Sequence, residues 1–263
     1  MACYRYKMRQ VRRLMPKGRH SRAKEFDMKV VILAGGKGRR LYPYTVVLPK
    51  PLMPIGDFPI LEVLLKQLKN CKLTDITIAV GHLGNLIQTY FGDGKKWGVN
   101  IAYSFEEKPL GTVGPLTLLR GLDKTFMVMN GDLLTTLNYS KLIDYHKKQK
   151  PIATVTAQKR SVDVDFGVIQ RNKDDHMVKY IEKPKLSYTV SMGIYIFEPE
   201  ILDFIPKAEK FDFPDLMQLL LEKEKKVAIY NSTDFWLDIG RPDDYQKAVE
   251  EFEKNKKLFI YKE

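Results

Sequence analysis

Lys29-Val30-Val31-Ile32-Leu33-Ala34-Gly35-Gly36-Lys37-Gly38-Arg39-Arg40-Leu41, followed by Leu48-Pro49-Lys50-Pro51-Leu52, runs from an apolar stretch into a glycine-rich turn and then into cations. The apolar stretch is too short to cross a bilayer, and its β-branched residues suit a central parallel strand. Gly35, Gly36 and Gly38 allow a tight turn whose backbone N–H groups can approach a bound anion. Arg39, Arg40 and Lys50 add positive charge beside that turn, which is chemistry for a polyphosphate. The turn is neither of two common phosphate loops. Leu41 stands where a dinucleotide fingerprint needs its third glycine, and no Gly-Lys-Ser/Thr closes the turn. A plain strand-to-helix turn with solvated arginines remains the competing reading. The two prolines that stiffen the backbone around Lys50 count against it.

Two carboxylates draw notice downstream. Asn130-Gly131-Asp132 follows a buried strand, and open α/β sheets bind ligands at the carboxyl ends of their strands. A hard oxygen ligand there suits a divalent metal beside a phosphate, although a turn Asp is the commoner role. Asp238 lies between apolar residues in Phe235-Trp236-Leu237-Asp238-Ile239-Gly240, where a carboxylate needs a partner, either a metal or neighbouring backbone.

Gly-Gly-Lys-Gly-Arg-Arg-Leu-Tyr-Pro over residues 35–43, with Leu-Pro-Lys-Pro-Leu-Met-Pro-Ile over 48–55, resembles the signature of sugar-1-phosphate nucleotidyltransferases. The look is closest to members that act as mannose-1-phosphate guanylyltransferases. Arg39 stands where that family has Thr, while Arg40 matches the family arginine. The resemblance implies that Arg40, Lys50 and Lys183 are catalytic, and that Asp132 and Asp238 bind Mg²⁺. It implies nucleotide contacts from Leu33, Gly35, Gly36, Gly38, Arg39, Glu106, Gly111 and Thr112. Sugar-phosphate contacts are implied for Gly167 in Phe166-Gly167-Val168, and for Glu182 and Lys183 in Glu182-Lys183-Pro184. Another is implied for Ser191 in Ser191-Met192-Gly193-Ile194-Tyr195, where the family has Asn and then Ala at the first two positions.

Glu106-Glu107-Lys108-Pro109-Leu110-Gly111-Thr112-Val113-Gly114 resembles the base-reading segment of the guanylyltransferases. A carboxylate only accepts hydrogen bonds, so Glu106 suits the N–H groups of guanine or the amino group of cytosine. Relatives that take dTTP or UTP commonly have Gln there. GTP is the expected donor, with CTP, dTTP and UTP as alternatives, and a solvated charged loop is an even competitor for the segment. His82 in Gly81-His82 belongs to the same pattern but is given little weight.

Length fits one large domain with ample core, and the composition is that of an ordinary globular protein. The net charge of +12 is partly local: residues 1–27 carry +7 and the remainder +5. The basic segment has no apolar stretch and is therefore not a secretory signal. It reads as a disordered extension, and as a non-native leader before a start at Met28. Residues 28–263 read as a single nucleotidyltransferase domain. Cys3 and Cys71 show no metal spacing, and Cys3 lies in the basic extension, so no disulfide is expected, which fits a cytoplasmic location.

Strands are predicted over residues 28–34, 75–80, 99–105 and 126–129, alternating with helices over 60–70, 84–91 and 112–120. Beyond a helix over 140–148, strands over 152–158, 167–170, 177–182 and 190–197 predict some antiparallel pairing. Helices over 213–222 and 242–252 flank a strand over 227–230. The fold class is α/β: a Rossmann-like, mixed but mainly parallel sheet flanked by helices. The resemblance implies the nucleotide-diphospho-sugar transferase fold. The expected partners are an NTP and a sugar 1-phosphate, with no nucleic acid or membrane, and a homo-oligomer stays open. A nucleotide-sugar-dependent glycosyltransferase would also place an Asp after a strand, but does not need the glycine turn. A catalytically silent subunit that senses nucleotide sugars predicts loss of a metal ligand or phosphate cation. Binding of nucleic acid through the leader predicts salt-sensitive binding that vanishes without residues 1–27.

Overall fold

The computed structural model describes residues 27–260. The basic extension up to residue 26, including Cys3, lies outside the described residues. The elements in chain order are β1 (Val30–Ala34), β2 (Pro54–Ile55), β3 (Phe58–Pro59), α1 (Ile60–Asn70), β4 (Asp75–Val80), α2 (Gly84–Phe91) and β5 (Asn100–Phe105). There follow β6 (Phe126–Asn130), β7 (Leu133–Thr135), α3 (Tyr139–Gln149), β8 (Ala153–Asp163), β9 (Val168–Arg171), β10 (Met177–Ile181) and β11 (Lys185–Phe197). The chain continues with α4 (Phe213–Glu222), β12 (Val227–Asn231), β13 (Trp236–Asp238) and α5 (Pro242–Phe259).

Seven strands form the central sheet in the order β12-β8-β11-β6-β1-β4-β5. β1 lies parallel between β4 and β6, β5 adds parallel to β4, and β12 parallel to β8. β11 alone runs against its neighbours β6 and β8. β1 is apolar at every position because both sheet faces are covered. Val30 and Ile32 face one apolar cluster and Val31 the other. The same alternation holds in β6, where Met127 and Met129 face one layer and Phe126 and Val128 the other. α1 buries Leu61, Leu64, Leu65 and Leu68 in the first cluster and turns Ile60 and Val63 to a third, built around Phe252 and Phe259 of α5. Each such fully buried side chain contributes about 1.5–3 kcal/mol. Among the described residues no helix is long and apolar enough to cross a membrane.

Several expectations change. Residues 112–120 form no α-helix; a short 3-10 turn, Gly114–Leu118, stands there. The reason is local: Val113 and Gly114 both donate their N–H groups to the Phe211 carbonyl, at 3.0 and 3.1 Å, which diverts the backbone from a helical ladder. β8 and β11 run well past their predicted ends, and their outer halves make an arm with the β9–β10 hairpin. α5 continues beyond residue 252 to Phe259, with a break at Asn255. Two short ribbons, β2–β3 and β7–β13, were not foreseen.

One buried network pins α3 to the sheet. His146 is 1% exposed; its Nδ1 lies 2.7 Å from Thr154 Oγ1, and its Nε2 donates to Glu198 Oε1 at 2.9 Å. Burial lowers the imidazole pKa below its ordinary 6.5, against the opposing pull of Glu198. Just below pH 6.5 the unfolded chain therefore takes up a proton that the folded chain refuses. This contribution to stability is intact above 6.5 and is lost as pH falls toward the lowered value. Urea unfolding at pH 7 and pH 5 is expected to show a loss for the wild type that is smaller in His146→Gln. Parallel losses in both proteins would refute it.

Candidate active site

A cleft of about 910 Å³ opens at the carboxyl ends of β1, β4 and β6. That size suits a nucleotide. Leu33, Gly35, Gly36, Gly38, Arg39, Arg40, Lys50, Glu106, Gly111, Thr112 and Asp132 all line it. The turn after β1 is built for close approach. Gly38 has φ +61°, and Thr45 Oγ1 donates to its carbonyl at 2.9 Å, holding the loop down. Gly35 faces Gly81, where a Cβ would come within 2.8 Å of the Gly35 carbonyl oxygen. The Glu106 carboxylate also lies on Gly35, 2.7 Å from where a Cβ would be.

Glu106 accepts the Leu110 N–H at 3.0 Å through Oε2. Burial raises its pKa above the ordinary carboxylate value, and the Leu110 bond partly offsets this. The following loop is stitched to a distant segment. The Thr112 N–H donates to Asp212 Oδ1 at 2.9 Å, and Thr112 Oγ1 accepts the Phe213 N–H at 2.9 Å. Gly111 has φ +80°, and a Cβ there would lie 2.6 Å from the Phe211 carbonyl oxygen. Asp212, which the sequence reading missed, thus lines the cleft and sets the loop. The only sequence signal was its position just ahead of α4.

Asp132 leaves β6 through Gly131, whose N–H donates to the Leu33 carbonyl at 2.9 Å. The β7–β13 ribbon brings Asp238 beside it, and the Ile239 N–H donates to the Asp132 carbonyl at 3.1 Å. The Lys50 ammonium sits between the carboxylates, bonded to Asp132 and 3.9 Å from Asp238 Oδ1. Burial first, and Asp132 second, push the Asp238 carboxyl above its ordinary pKa, with Lys50 and Arg40 opposing. Arg40 reaches this point because Gly240 has no side chain: its guanidinium lies 3.2 Å from where a Cβ would be. Two facing carboxylates whose mutual repulsion needs a cation match the donor chemistry of Mg²⁺, which takes one or two protein carboxylates and completes its shell from phosphates and water. Among the described residues no group of three or more candidate ligands is present.

The sugar-side residues are placed differently. Ser191 lies at the inner end of the arm, where β11 bulges and its hydroxyl is 2.9 Å from the Tyr195 hydroxyl. Gly193, at φ +70°, packs against the Asn130 amide, which lines the cleft. Gly167, Glu182 and Lys183 belong to the arm and are not on the cleft wall. Gly167 is covered by Tyr180, whose hydroxyl donates to Glu182 Oε2 at 3.0 Å. Six residue steps along β11 separate Ser191 from Lys185, about 20 Å.

The nucleotidyl transferase family profile matches residues 29–255. The chain belongs to that family. It is 35% identical over 242 residues to a UTP–glucose-1-phosphate uridylyltransferase of Synechocystis, covering 84% of this chain and 62% of that protein. It is 34% identical over 231 residues to the mannose-1-phosphate guanyltransferase of Saccharomyces cerevisiae, covering 83% and 63%. The chain thus spans less than two thirds of the length of these two relatives. A solved structure, HddC of Yersinia pseudotuberculosis complexed with GMP-PN, superposes with a TM-score of 0.66 at 25% identity, covering 86% of this chain and 99% of that one. The central sheet is that of the nucleotide-diphospho-sugar transferase fold, as the motifs implied.

Proposed function

We propose that this chain transfers a nucleotidyl group from an NTP to a sugar 1-phosphate, giving a nucleotide sugar and pyrophosphate. The observation that carries the reading is one cleft lined by a glycine turn, Arg40, Lys50 and Asp132, with Asp238 placed 3.9 Å from the Lys50 ammonium. No nucleophilic side chain is required, because the sugar phosphate oxygen attacks the α-phosphorus in line. That bond forms as the bond to the β-phosphate breaks, and the electron pair leaves with pyrophosphate. The protein's part is positioning and charge neutralisation. Backbone N–H groups of the Gly35–Gly38 turn and the Arg40 guanidinium receive the β- and γ-phosphates. Lys50 neutralises the developing charge near the α-phosphate. Asp132 and Asp238 would hold Mg²⁺, which when bound polarises phosphate oxygens. Glu182 and Lys183 are read as contacts to the sugar hydroxyls and the sugar phosphate, which requires the outer arm to bend toward the cleft.

GTP is the preferred donor in this reading. Glu106 is fixed over Gly35 with one oxygen held by Leu110, so the other can accept from a base edge. The guanyltransferase likeness and the GMP-PN complex of HddC support the choice, while the uridylyltransferase likeness keeps UTP as the second reading. The test is a matrix of GTP, CTP, dTTP, UTP and ATP against sugar 1-phosphates, with Mg²⁺ and with EDTA, following pyrophosphate. Mg²⁺-dependent release with GTP is the expected result, and no release with any pair would overturn the reaction. In Glu106→Gln the preference for GTP over UTP is expected to fall roughly 10-fold or more, one lost base hydrogen bond. An unchanged preference would remove Glu106 as the base reader.

A further inference from the structure

Residues 236 and 238 alternate along β13, so Trp236 and Asp238 present their side chains to the same face. Two steps back from the acidic pair, that face therefore carries an indole. Over the indole lies Arg160, its guanidinium carbon 5.0 Å from the ring centroid. Arg160 Nη2 also donates to the Trp236 carbonyl at 2.8 Å. Its neighbour on the same face of β8, Gln158, donates to the Asp234 carbonyl at 2.7 Å. The Trp236 Nε1–H in turn donates to the Met192 carbonyl at 2.8 Å, beside Ser191. The strand that bears Asp238 and the residues leading into it are thus tied to β8 and β11 by three hydrogen bonds, with a guanidinium at the junction.

The partners of Arg160 are a carbonyl and a ring, both neutral. Among the described residues no carboxylate lies within 4.0 Å of it, whereas Lys185 farther out on the arm pairs with Asp163 at 3.1 Å. A half-buried guanidinium held over an indole, with most of its five N–H donors unspent, is a preorganised receptor for an oxyanion. The cleft's own cations, Lys37, Arg39, Arg40 and Lys50, lie on the nucleotide side. Lys159, next to Arg160, points to the opposite face of β8.

We propose that Arg160 is a further anion contact on the sugar side, additional to Lys183, and binds the phosphate of the sugar 1-phosphate. This rests on the reaction proposed above. A carboxylate on the sugar ring is the other source of the same chemistry, and the test separates the two.

The chain has two tryptophans, so Trp97→Phe leaves Trp236, directly beneath Arg160, as the reporter. The full-length protein is titrated with mannose 1-phosphate, glucose 1-phosphate, free mannose, glucuronate and inorganic phosphate while Trp236 emission is followed. Saturable change with the phosphorylated sugars and none with free mannose is expected. Arg160→Gln should raise their Kd roughly 30-fold or more, and Arg160→Lys should recover only part, because the planar fork is lost. In turnover, the KM for the sugar 1-phosphate should rise in step while the KM for the NTP stays within about twofold.

Wild-type-like binding by Arg160→Gln would overturn the proposal. So would an equal rise in both KM values, which is the mark of a strand tie alone, or a response to glucuronate without one to sugar phosphates. If no pair of substrates turns over, yet the Arg160-dependent response to sugar phosphates persists, the subsite stands and the assigned reaction falls.

Discussion

Asp132→Asn is expected to lower kcat by roughly 10³-fold, about 4 kcal/mol of transition-state stabilisation, while leaving the fold intact. Asn keeps the shape of the side chain but removes the charge that faces Lys50 and Asp238. The loss should appear in kcat more than in the KM for the NTP, because the turn and Arg40 still bind the polyphosphate. It should also resist rescue by saturating Mg²⁺. Thermal unfolding and NTP binding serve as controls. A variant that folds and keeps turnover within about fivefold would remove Asp132 from the reaction centre.

The other large effect is expected at Arg40. Arg40→Ala should lower kcat/KM for the NTP by roughly 10²- to 10³-fold, and should weaken pyrophosphate binding in the reverse reaction in proportion. Arg40→Lys should restore only part, since a lysine offers a point charge in place of the fork. Arg39→Thr is the contrast. Both arginines are exposed, but it is Arg40 that lies against Gly240 and acts on Asp238, so the loss of Arg39 should change kcat/KM by less than about fivefold. Equal losses at the two positions would mean that the turn contributes only diffuse positive charge.

The nucleotide half of this arrangement was legible in the chain because it is local. Five apolar residues and three glycines specify strand and turn within one short window, and sterics leave little choice there. The pairing of Asp132 with Asp238 was legible only by resemblance. The ribbon that joins them has three residues per strand, too few for a period-2 pattern to stand out. Asp212 was invisible for a different reason. It acts on Thr112 across a separation of 100 residues, and nothing in either stretch announces the other. The predicted helix over 112–120 failed through the same contact, since Phe211 captures the N–H groups that a helix would have used. The outer halves of β8 and β11 were missed because solvent reaches both faces there, so charged residues such as Lys159 and Lys185 break the apolar pattern.

The β7–β13 ribbon also sets an order of assembly. Thr135 and Phe235 are bonded across 100 residues, so this contact carries a high loop-closure entropy and profits from a sheet already in place. During synthesis the phosphate turn, Lys50 and Asp132 all emerge long before Asp238 does. On the proposed function, a nascent chain can therefore form the Lys50–Asp132 pair and the cleft with its reaction centre half made. The β7–β13 ribbon is the one that delivers the second carboxylate, so the proposed chemistry would come only when residues 236–238 have docked. In the reading proposed above, a single late folding step separates holding a nucleotide from spending it.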